Sequence, residues 1–327
     1  MAFALLFNLS VFAWSDALGD ELRQTETGIQ EQTRLSTNVF WSSAFNDVRT
    51  ENYITYRPSA AVRPIVTYGS VLTEMASLSS TTRGLESQGY RVIAGINGDF
   101  YNTENGLPVG LILTDGQIRS SDAGLYAMGF RRDGSCIMGR PRFQTLANFG
   151  YQMDDGYGNM IDIVRPIAGI NKARVSDGGI FLFTYDFNRS HSTGNDEPGI
   201  DAVCTILNGT LKAGGTVQLR VDNIIPATGA TRIASNQMVI SVNNKADEYS
   251  LKALRNLSIG DIINIGISSQ DPNGGSRWND VVYGIGATYV LAENGRVNSS
   301  LPTGRNPRTA VGLKPDGTVI FYTIDGR

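Results

Sequence analysis

A run of polar and aromatic residues at positions 97–102, Asn-Gly-Asp-Phe-Tyr-Asn, combines two amides, one carboxylate and two aromatic rings. It follows the apolar run at residues 90–97, which predicts a buried strand that ends where the chain must turn. Polar groups held at the end of a strand, beside backbone amides, are suited to bind a sugar or an anion. Asn-Gly is also a hairpin-turn signal, so a purely structural turn accounts for the same residues.

The second group of candidate residues lies at positions 305–309 and 322–327. Arg308 and Thr309 begin a predicted strand, and Asp325 and Arg327 follow another. A guanidinium group is suited to bidentate binding of phosphate. A neighbouring carboxylate can act as acid, base or nucleophile at an anomeric carbon. A structural Arg–Asp pair that pins a loop explains the same segment equally well.

Other chemistries have few residues to use. The single histidine, His191, lies among Ser, Thr, Gly and Asn residues that predict a surface loop. A histidine-ligated metal site is therefore excluded, and a Ser-His-Asp triad would have to use this residue. The oxygen-rich loops at 154–159 and 271–275 do not match an EF-hand, so no cofactor is predicted and a divalent metal such as Ca²⁺ has no support. Four aromatic residues fit either a sugar-stacking platform or core packing: Trp41, Trp278, Tyr283 and Tyr289.

Composition and turn signals favour an α+β fold, mostly antiparallel β-sheet with many hairpins and a few flanking helices. Apolar residues make up 41 % of the 327 residues, enough for a sizeable core, and the 37 glycines suit many tight turns. Asp-Gly and Asn-Gly pairs recur between apolar runs and favour two-residue hairpin turns. Short helices are predicted at residues 79–88 and 250–256.

The predicted organisation has three parts. Residues 1–17 form a clipped signal peptide, because residues 2–14 are apolar, too short to span a bilayer as a helix, and followed by small residues. Residues 18–59 form a polar N-terminal segment, and positions 15–35 suit an exposed helix or a linker. Residues 60–327 form the main domain, with a candidate inserted β subdomain at about 200–270.

Charge and cysteine content bound the partners and the location. The net charge is −3 and no Lys/Arg-rich run occurs, so a nucleic-acid partner is not expected. Cys136 and Cys204 fit either one disulfide or two separate thiols. The expected location is extracellular or in the cell envelope, with no stable membrane span.

Taken together, the two candidate segments resemble the phosphodiester glycosidase family. The family pattern of Asn-Gly-x-Phe-Phe/Tyr, Pro-x-Gly and an Asp-Gly hairpin is matched at residues 97–101, 108–110 and 115–116. The pattern of Arg-Thr/Ser-Ala-x-Gly, Asp-Gly and Asp-Gly-Arg is matched at residues 308–312, 316–317 and 325–327. Residues 169–174 and 183–186 look like the middle region of bacterial members, so the resemblance covers about residues 60–327.

The resemblance implies an exported bacterial hydrolase that cleaves a sugar-1-phosphodiester in a cell-envelope or extracellular glycan. It implies that Asp325 or Asp99 supplies the acid, base or nucleophile, and that Arg308 and Arg327 bind the phosphate. Asn97 would orient a sugar hydroxyl. The other substrate-binding candidates are Gly98, Tyr101, Asn102, Gly110 and Thr309.

The chain departs from the family pattern at its C-terminal end. In the family, Asp-Gly-Arg is followed by a helix and an Asp-Gly-Gly-Gly-Ser segment, whereas this sequence ends at Arg327. The expectation is therefore an enzyme that is incomplete at its C-terminus. The alternatives are a non-catalytic polysaccharide- or cell-wall-binding module of the same fold and a structural component of an envelope matrix.

Overall fold

The computed structural model describes residues 19–59, 62–175, 177–269 and 277–326. The predicted signal peptide and Arg327 lie outside these ranges. The chain divides into two compact units. The first comprises Met1–Arg57, Pro302–Lys314 and Thr318–Arg327, and the second comprises Pro58–Leu301 and Pro315–Gly317.

Nineteen strands and two helices are present in the described part of the chain, which confirms the predicted fold class. In chain order the elements are β1 (Asp20–Gln30), β2 (Thr33–Ser42), β3 (Asp47–Tyr56), α1 (Leu78–Ser87), β4 (Ile112–Thr114), β5 (Gln117–Ser120), β6 (Tyr126–Arg131), β7 (Cys136–Gly139), β8 (Phe143–Asp154), β9 (Met160–Ile170), β10 (Ile180–Thr184), β11 (Gly199–Gly209), β12 (Thr216–Ala227), β13 (Gln237–Asn243), α2 (Glu248–Arg255), β14 (Ile262–Ser269), β15 (Val281–Ala287), β16 (Ala292–Glu293), β17 (Arg296–Val297), β18 (Arg308–Leu313) and β19 (Val319–Ile324).

The first unit is one antiparallel sheet with the strand order β1-β2-β3-β19-β18. The exposed helix or linker expected at residues 15–35 is wrong, because β1 and β2 form a long hairpin that begins at Asp20. Ladder hydrogen bonds to β2 outweigh the weak helix preference of a Thr- and Gln-rich segment. Because β19 pairs with β3, the last two strands join this unit instead of the predicted domain at 60–327.

The second unit contains a closed barrel with the strand order β10-β13-β11-β12-β14-β8-β9. The barrel closes where β9 and β10 pair in parallel. Residues 200–270 supply β11 to β14 and complete the barrel with β8, β9 and β10, so they do not form a subdomain of their own. Alternating inward side chains fill the interior, and many of them are fully buried.

One fully buried ion pair lies on the outer face of the barrel wall, because Asp201 on β11 and Ser241 on β13 alternate with the interior residues Ala202 and Ile240. The Nη1 atom of Arg174 is 3.6 Å from Oδ1 of Asp201, and both side chains are 0 % exposed. Ser241 bridges the two, since its hydroxyl accepts from Arg174 at 2.9 Å and donates to Asp201 at 2.5 Å. Burial raises the pKa of Asp201, against the lowering effect of Ser241, Thr231 and Arg174. Cys204, on β11, is buried in the barrel interior, and it and Cys136 on β7 are both free thiols.

The second unit also contains a five-stranded sheet with the order β5-β4-β15-β6-β7. The strands β16 and β17 form a short separate hairpin. In the five-stranded sheet, the central strand β15 runs antiparallel to both β4 and β6. The end of β15 therefore lies at the same sheet edge as the beginnings of β4 and β6 and the end of β7. This edge is where most of the candidate site residues of the second unit are found.

Both predicted helices are confirmed, and their capping residues explain them. Ser77 accepts a hydrogen bond from the Ser80 amide at the start of α1, and Asp247 caps α2 through the Ser250 amide. The helix α2 buries Leu251 and Leu254, whereas α1 has no fully buried residue. Among the described residues, no helix has the length and apolar character that a membrane crossing requires.

The buried strand predicted at residues 90–97 is wrong. This segment joins no ladder in the described part of the chain, and the Tyr90 side chain is 45 % exposed. It runs beside α1, where Gly95 lies against Leu78. No strand among the described residues pairs with its backbone, as the prediction required.

Candidate functional site

Asp99 lies at the sheet edge where β4 begins and β15 ends. Its Oδ1 atom accepts a hydrogen bond of 2.7 Å from the Phe100 amide. A Cβ atom added to Gly110 or Gly286 would lie only 2.1 or 2.3 Å from Asp99 Oδ2, so only glycine fits at either position. Gly110 was predicted from the sequence, but Gly286 was missed because nothing near it in the chain indicates its role.

We expect Gly286→Ala to lower the free energy of unfolding by about 1–3 kcal/mol, the usual cost of overpacking. The added methyl group would overlap Asp99 Oδ2 and approach the Gly110 Cα to 2.9 Å. Urea unfolding of the full chain measures the change. Gly266→Ala on β14 is the matched control, since a Cβ there would meet nothing within 4 Å. Equal stability of the two variants would refute the close packing around Asp99.

Lys172 holds the segment that covers Asp99. Its Nζ donates to the carbonyl oxygens of Pro108, Val109 and Gly110 at 2.9, 2.8 and 3.1 Å, which uses all three donors of an ammonium group. Burial lowers the pKa of Lys172 to about 8, while the charges of Asp99 and Asp122 act in the opposite direction. Lys172 therefore fixes the position of the Pro-Val-Gly segment and adds positive charge beside both carboxyl groups.

Asn171 explains why Lys172 is placed so firmly. It is buried and takes a left-handed conformation, with φ of 51°, directly after β9. Its Nδ2 donates to the Arg119 carbonyl and to Thr184 Oγ1, both at 2.8 Å, and its Oδ1 accepts from the Thr184 amide. The sequence motif at residues 169–174 thus has a structural role: Asn171 turns the chain and orients Lys172 toward the Pro-Val-Gly carbonyls.

Asp99 and Asp122 are the two carboxyl groups near Lys172. Burial raises the pKa of Asp99, opposed by the Phe100 and Gly110 amides and by Lys172. Burial also raises the pKa of Asp122, opposed by backbone amides and by Lys172. Asp122 follows Ser121, whose backbone and hydroxyl both bond to Ile170 at the end of β9. Carboxyl groups with raised pKa values beside a buried cation are suited to proton transfer.

The other predicted residues of this segment have different roles. Gly98 packs against Ile285, and Tyr101 forms a bridge with Pro108 while its ring stays exposed. Asn102 closes a turn, since its amide donates to the Leu107 carbonyl and its Oδ1 accepts from the Glu104 amide. Asn97 is exposed. Of these residues, the structure brings Gly98 and Gly110 to Asp99, and Asn102 shapes the turn before Pro108.

An exposed aromatic pair lies beside the Asp99 group. The rings of Phe100 and Tyr289 meet edge to face with centroids 6.4 Å apart, and they are 58 % and 50 % exposed. Trp278 is fully buried against Phe143 and offers no free ring face, whereas the half-buried Tyr283 donates its hydroxyl to Asp115. Of the four aromatic candidates, Tyr289 is the one at this edge, and Phe100 was not singled out from the sequence.

The first unit contains the C-terminal candidates. Arg308 is exposed at the start of β18 opposite Ile324, and Thr309 follows opposite Thr323. Asp325 Oδ1 lies 3.5 Å from Nη1 of Arg49, and its Oδ2 accepts from the Thr50 amide at 3.1 Å. The structural ion pair that the sequence left open is therefore made with Arg49, a buried residue that also packs over Phe45.

We expect Asp325→Asn to lower the free energy of unfolding by about 1–3 kcal/mol, because Arg49 would stay buried without its carboxylate. Chemical denaturation monitored by circular dichroism measures the change. Asp47→Asn at the start of β3 is the control, since within the described residues its exposed carboxylate bonds to the neighbouring Val48 amide alone. Full stability combined with complete loss of turnover would instead favour the catalytic role that the sequence suggested for Asp325.

The predicted working surface is thus divided between the two units. The Asp99 group lies in the second unit, and the Arg308–Asp325 group lies in the first. Each group is a candidate site by itself. The second unit has Asp99 and Asp122, whose pKa values are raised and which lie near Lys172, and the first unit has the exposed Arg308.

Metal binding by the described residues would require a group of ligating side chains. In residues 19–59, 62–175, 177–269 and 277–326, no group of three or more His, Cys, Asp or Glu side chains could hold a metal ion. The carboxylates of Asp154 and Asp155 accept hydrogen bonds from amides of their own loop. The loop at 271–275 lies outside the described residues. His191, predicted as a solvated loop residue, stacks on Tyr185 with centroids 3.8 Å apart.

A family model matches part of the chain. The model of the phosphodiester glycosidase family matches residues 207–327, which confirms the resemblance over that part of the chain. The matched region contains Gly286, Tyr289, Arg308 and Asp325, and it does not include Asp99. No curated protein matches the chain.

A solved structure shares the fold. The crystal structure of a hypothetical protein from Synechocystis aligns with a TM-score of 0.65 and 18 % sequence identity. The alignment covers 92 % of this chain and 52 % of that protein, so this chain spans about half the length of its structural relative. At this identity the likeness shows the fold alone.

Proposed function

We propose that this chain carries a glycosidase that hydrolyses a sugar-1-phosphodiester at the Asp99 group of the second unit. The family match at residues 207–327 supports the reaction class. The observation that carries the site is the Asp99 carboxyl group, which is packed against Gly110 and Gly286 and has a raised pKa. A positioned carboxyl group of this kind can exchange a proton with a substrate or with water.

The proposed reaction breaks the bond between the anomeric carbon and the bridging oxygen of the phosphate. Water supplies the oxygen that replaces it, a phosphate monoester leaves, and the proton from water passes to a carboxylate. Asp99 is the proposed proton-transfer residue, and Asp122 is the proposed second carboxylate. Lys172 keeps the Pro-Val-Gly segment closed over Asp99 through its three carbonyl contacts.

The remaining predicted contacts stay predictions. Asn97 is proposed to orient a sugar hydroxyl, and Tyr101 and Phe100 are proposed to contact the sugar; the exposure of all three residues supports this. For Arg308, Thr309 and Arg327, phosphate binding is the role that the family resemblance implies.

We also propose that the protein is exported and acts on an extracellular or cell-envelope glycan. The apolar stretch at residues 2–14 supports this location. Fractionation of the producing cells, followed by immunoblotting, tests it. Protein in the medium or envelope fraction is expected, and full retention in the cytoplasmic fraction contradicts export.

One observation favours the alternative of a non-catalytic glycan-binding module. Asp325, one of the two carboxylates first assigned to catalysis, is held by Arg49 and Thr50. Glycan binding without turnover, retained in Asp99→Asn, would support this alternative.

The direct test is release of sugar from a panel of hexose 1-(methyl phosphate) esters by the full chain. Reducing sugar and methyl phosphate are expected in equal amounts. Neutral methyl hexosides serve as controls and should stay intact if the phosphate contributes to recognition. The proposal fails if no diester in the panel is cleaved, or if the neutral glycosides are cleaved equally fast.

A further inference from the structure

A cavity of about 790 Å³ lies in the second unit at the sheet edge that holds Asp99. The size is in the range of sites for small organic ligands. The register explains its position, because β6 begins, and β7 and β15 end, at this edge. The wall of the cavity is made by those strand ends and by the β16–β17 hairpin. The lining residues with polar, charged or aromatic side chains that the argument uses are Tyr126, Arg140, Thr288, Tyr289, Glu293 and Arg296.

The charges of the wall favour an anion. The charged residues of the lining are two arginines, Arg140 and Arg296, and one carboxylate, Glu293. Among the described residues neither arginine forms a salt bridge, whereas many other arginines of the chain do. The Arg140 guanidinium packs over the Tyr126 ring at 4.9 Å, a contact that fixes its plane and leaves its N–H edges available.

A hydroxyl group in the wall has no partner. Thr288 Oγ1 is buried and makes no hydrogen bond within the described residues. A buried polar atom without a hydrogen bond is costly, so a ligand that offers a donor or acceptor there would remove the cost. Tyr289, the next residue, presents its exposed ring to the same cavity.

We propose that this cavity binds a phosphorylated sugar, with Arg140 and Arg296 on the phosphate, Thr288 on a hydroxyl and the Tyr289 ring on the sugar face. Bidentate guanidinium contacts suit the phosphate, and aromatic rings suit the apolar face of a pyranose. The identification of the ligand rests on the proposed function, because it is the phosphate-bearing side of the proposed substrate.

The cavity and the Asp99 group are joined by two contacts. Tyr289 meets Phe100, the residue next to Asp99, and Gly286 of β15 packs on Asp99 two residues before Thr288. A ligand seated on Tyr289 would therefore extend from the arginines toward Asp99. This arrangement gives the second unit both a binding site and a proton-transfer group.

The experiment is calorimetric titration of the full chain with glucose 1-phosphate, glucose and inorganic phosphate. We expect glucose 1-phosphate to bind most tightly. Arg140→Gln and Arg296→Gln should each weaken its binding about tenfold or more, the loss expected for a charge-assisted hydrogen bond. Tyr289→Ser should weaken glucose 1-phosphate binding and leave inorganic phosphate binding unchanged. Arg255→Gln on α2, with the same charge change, is the control and should bind as the unaltered chain does.

Several results would overturn the inference. These are absence of glucose 1-phosphate binding, equal binding of glucose, and unchanged binding in both arginine variants. Inorganic phosphate binding equal to that of the sugar phosphate, with no effect of Tyr289→Ser, would show a simple anion site and would also refute it.

The binding test separates the inference from the proposed function. Asp99→Asn should still bind glucose 1-phosphate. Arginine-dependent binding without cleavage of any diester would leave the cavity assignment standing and refute the glycosidase. Asp99-dependent cleavage whose KM is the same in both arginine variants would do the reverse.

Discussion

Replacing Asp99 by asparagine is expected to lower kcat for a sugar-1-phosphodiester by roughly 10²–10⁴-fold, the usual contribution of a positioned proton-transfer group. Asparagine has the same shape, so the packing against Gly110 and Gly286 and the hydrogen bond from the Phe100 amide can be kept. The variant loses only the titratable proton. Steady-state kinetics on the diester that the full chain cleaves best gives the ratio.

The pH dependence of kcat/KM is a second test of the role of Asp99. Because burial raises the pKa of Asp99, kcat/KM should contain a limb at a pH above the ordinary carboxyl value of 3.8. That limb should disappear from the residual activity of Asp99→Asn. Asp162→Asn on β9 is the control, since that exposed carboxylate bonds, in the part of the chain that the structure describes, to Gln152 alone. An unchanged kcat in Asp99→Asn would remove Asp99 from the mechanism.

The largest stability effect is expected at the buried ion pair of the barrel. Arg174→Met should lower the free energy of unfolding by about 3–5 kcal/mol, because the Asp201 carboxylate would remain buried without a cation. The Val242 and Glu197 carbonyls would lose a donor as well. Equilibrium unfolding in urea at pH 7 measures the loss.

The sign of its pH dependence follows from the buried carboxyl group. Without Arg174, the pKa of folded Asp201 should rise further, since burial is already its largest cause of elevation. A raised folded pKa means that ionised Asp201 destabilises the fold, so the loss should shrink as the pH falls toward the unfolded value.

Two further variants serve as controls for Arg174→Met. Arg220→Met removes an arginine whose pair with Asp222 is half-exposed, and it should cost no more than about 1 kcal/mol. Combining Arg174→Met with Asp201→Leu should recover part of the loss, since both charges are then gone. A loss below about 1 kcal/mol for Arg174→Met alone would contradict the structural role of the pair.

The sequence predicted the fold class and both helices because those features are local. Capping residues such as Asp247 and turn pairs such as Asn294-Gly295 act over a few residues, and their signals survive without tertiary context. β1 was missed because its hydrogen bonds come from β2. Residues 90–97 were assigned to a strand on apolar content alone, which does not reveal whether a partner strand exists.

The candidate site was predicted only where its residues share a motif. Asp99, Gly98 and Gly110 lie close together in the chain, and all three meet in the structure. Gly286 and Lys172 come from distant positions, and the packing that brings them to Asp99 has no local signal. For Lys172, the polar Asn-Lys pair at the end of an apolar strand was the one available hint. Arg49 had none, because an arginine in a strand usually points to solvent.

The measurement that tests the central claim most directly is the position of cleavage in water enriched in oxygen-18. The full chain is incubated with a hexose 1-(methyl phosphate) ester, and the products are analysed by mass spectrometry. Glycosidic cleavage places the heavy oxygen on the sugar and leaves methyl phosphate unlabelled. Label in methyl phosphate, with none on the sugar, would mean attack at phosphorus and would contradict a glycosidase at the Asp99 group.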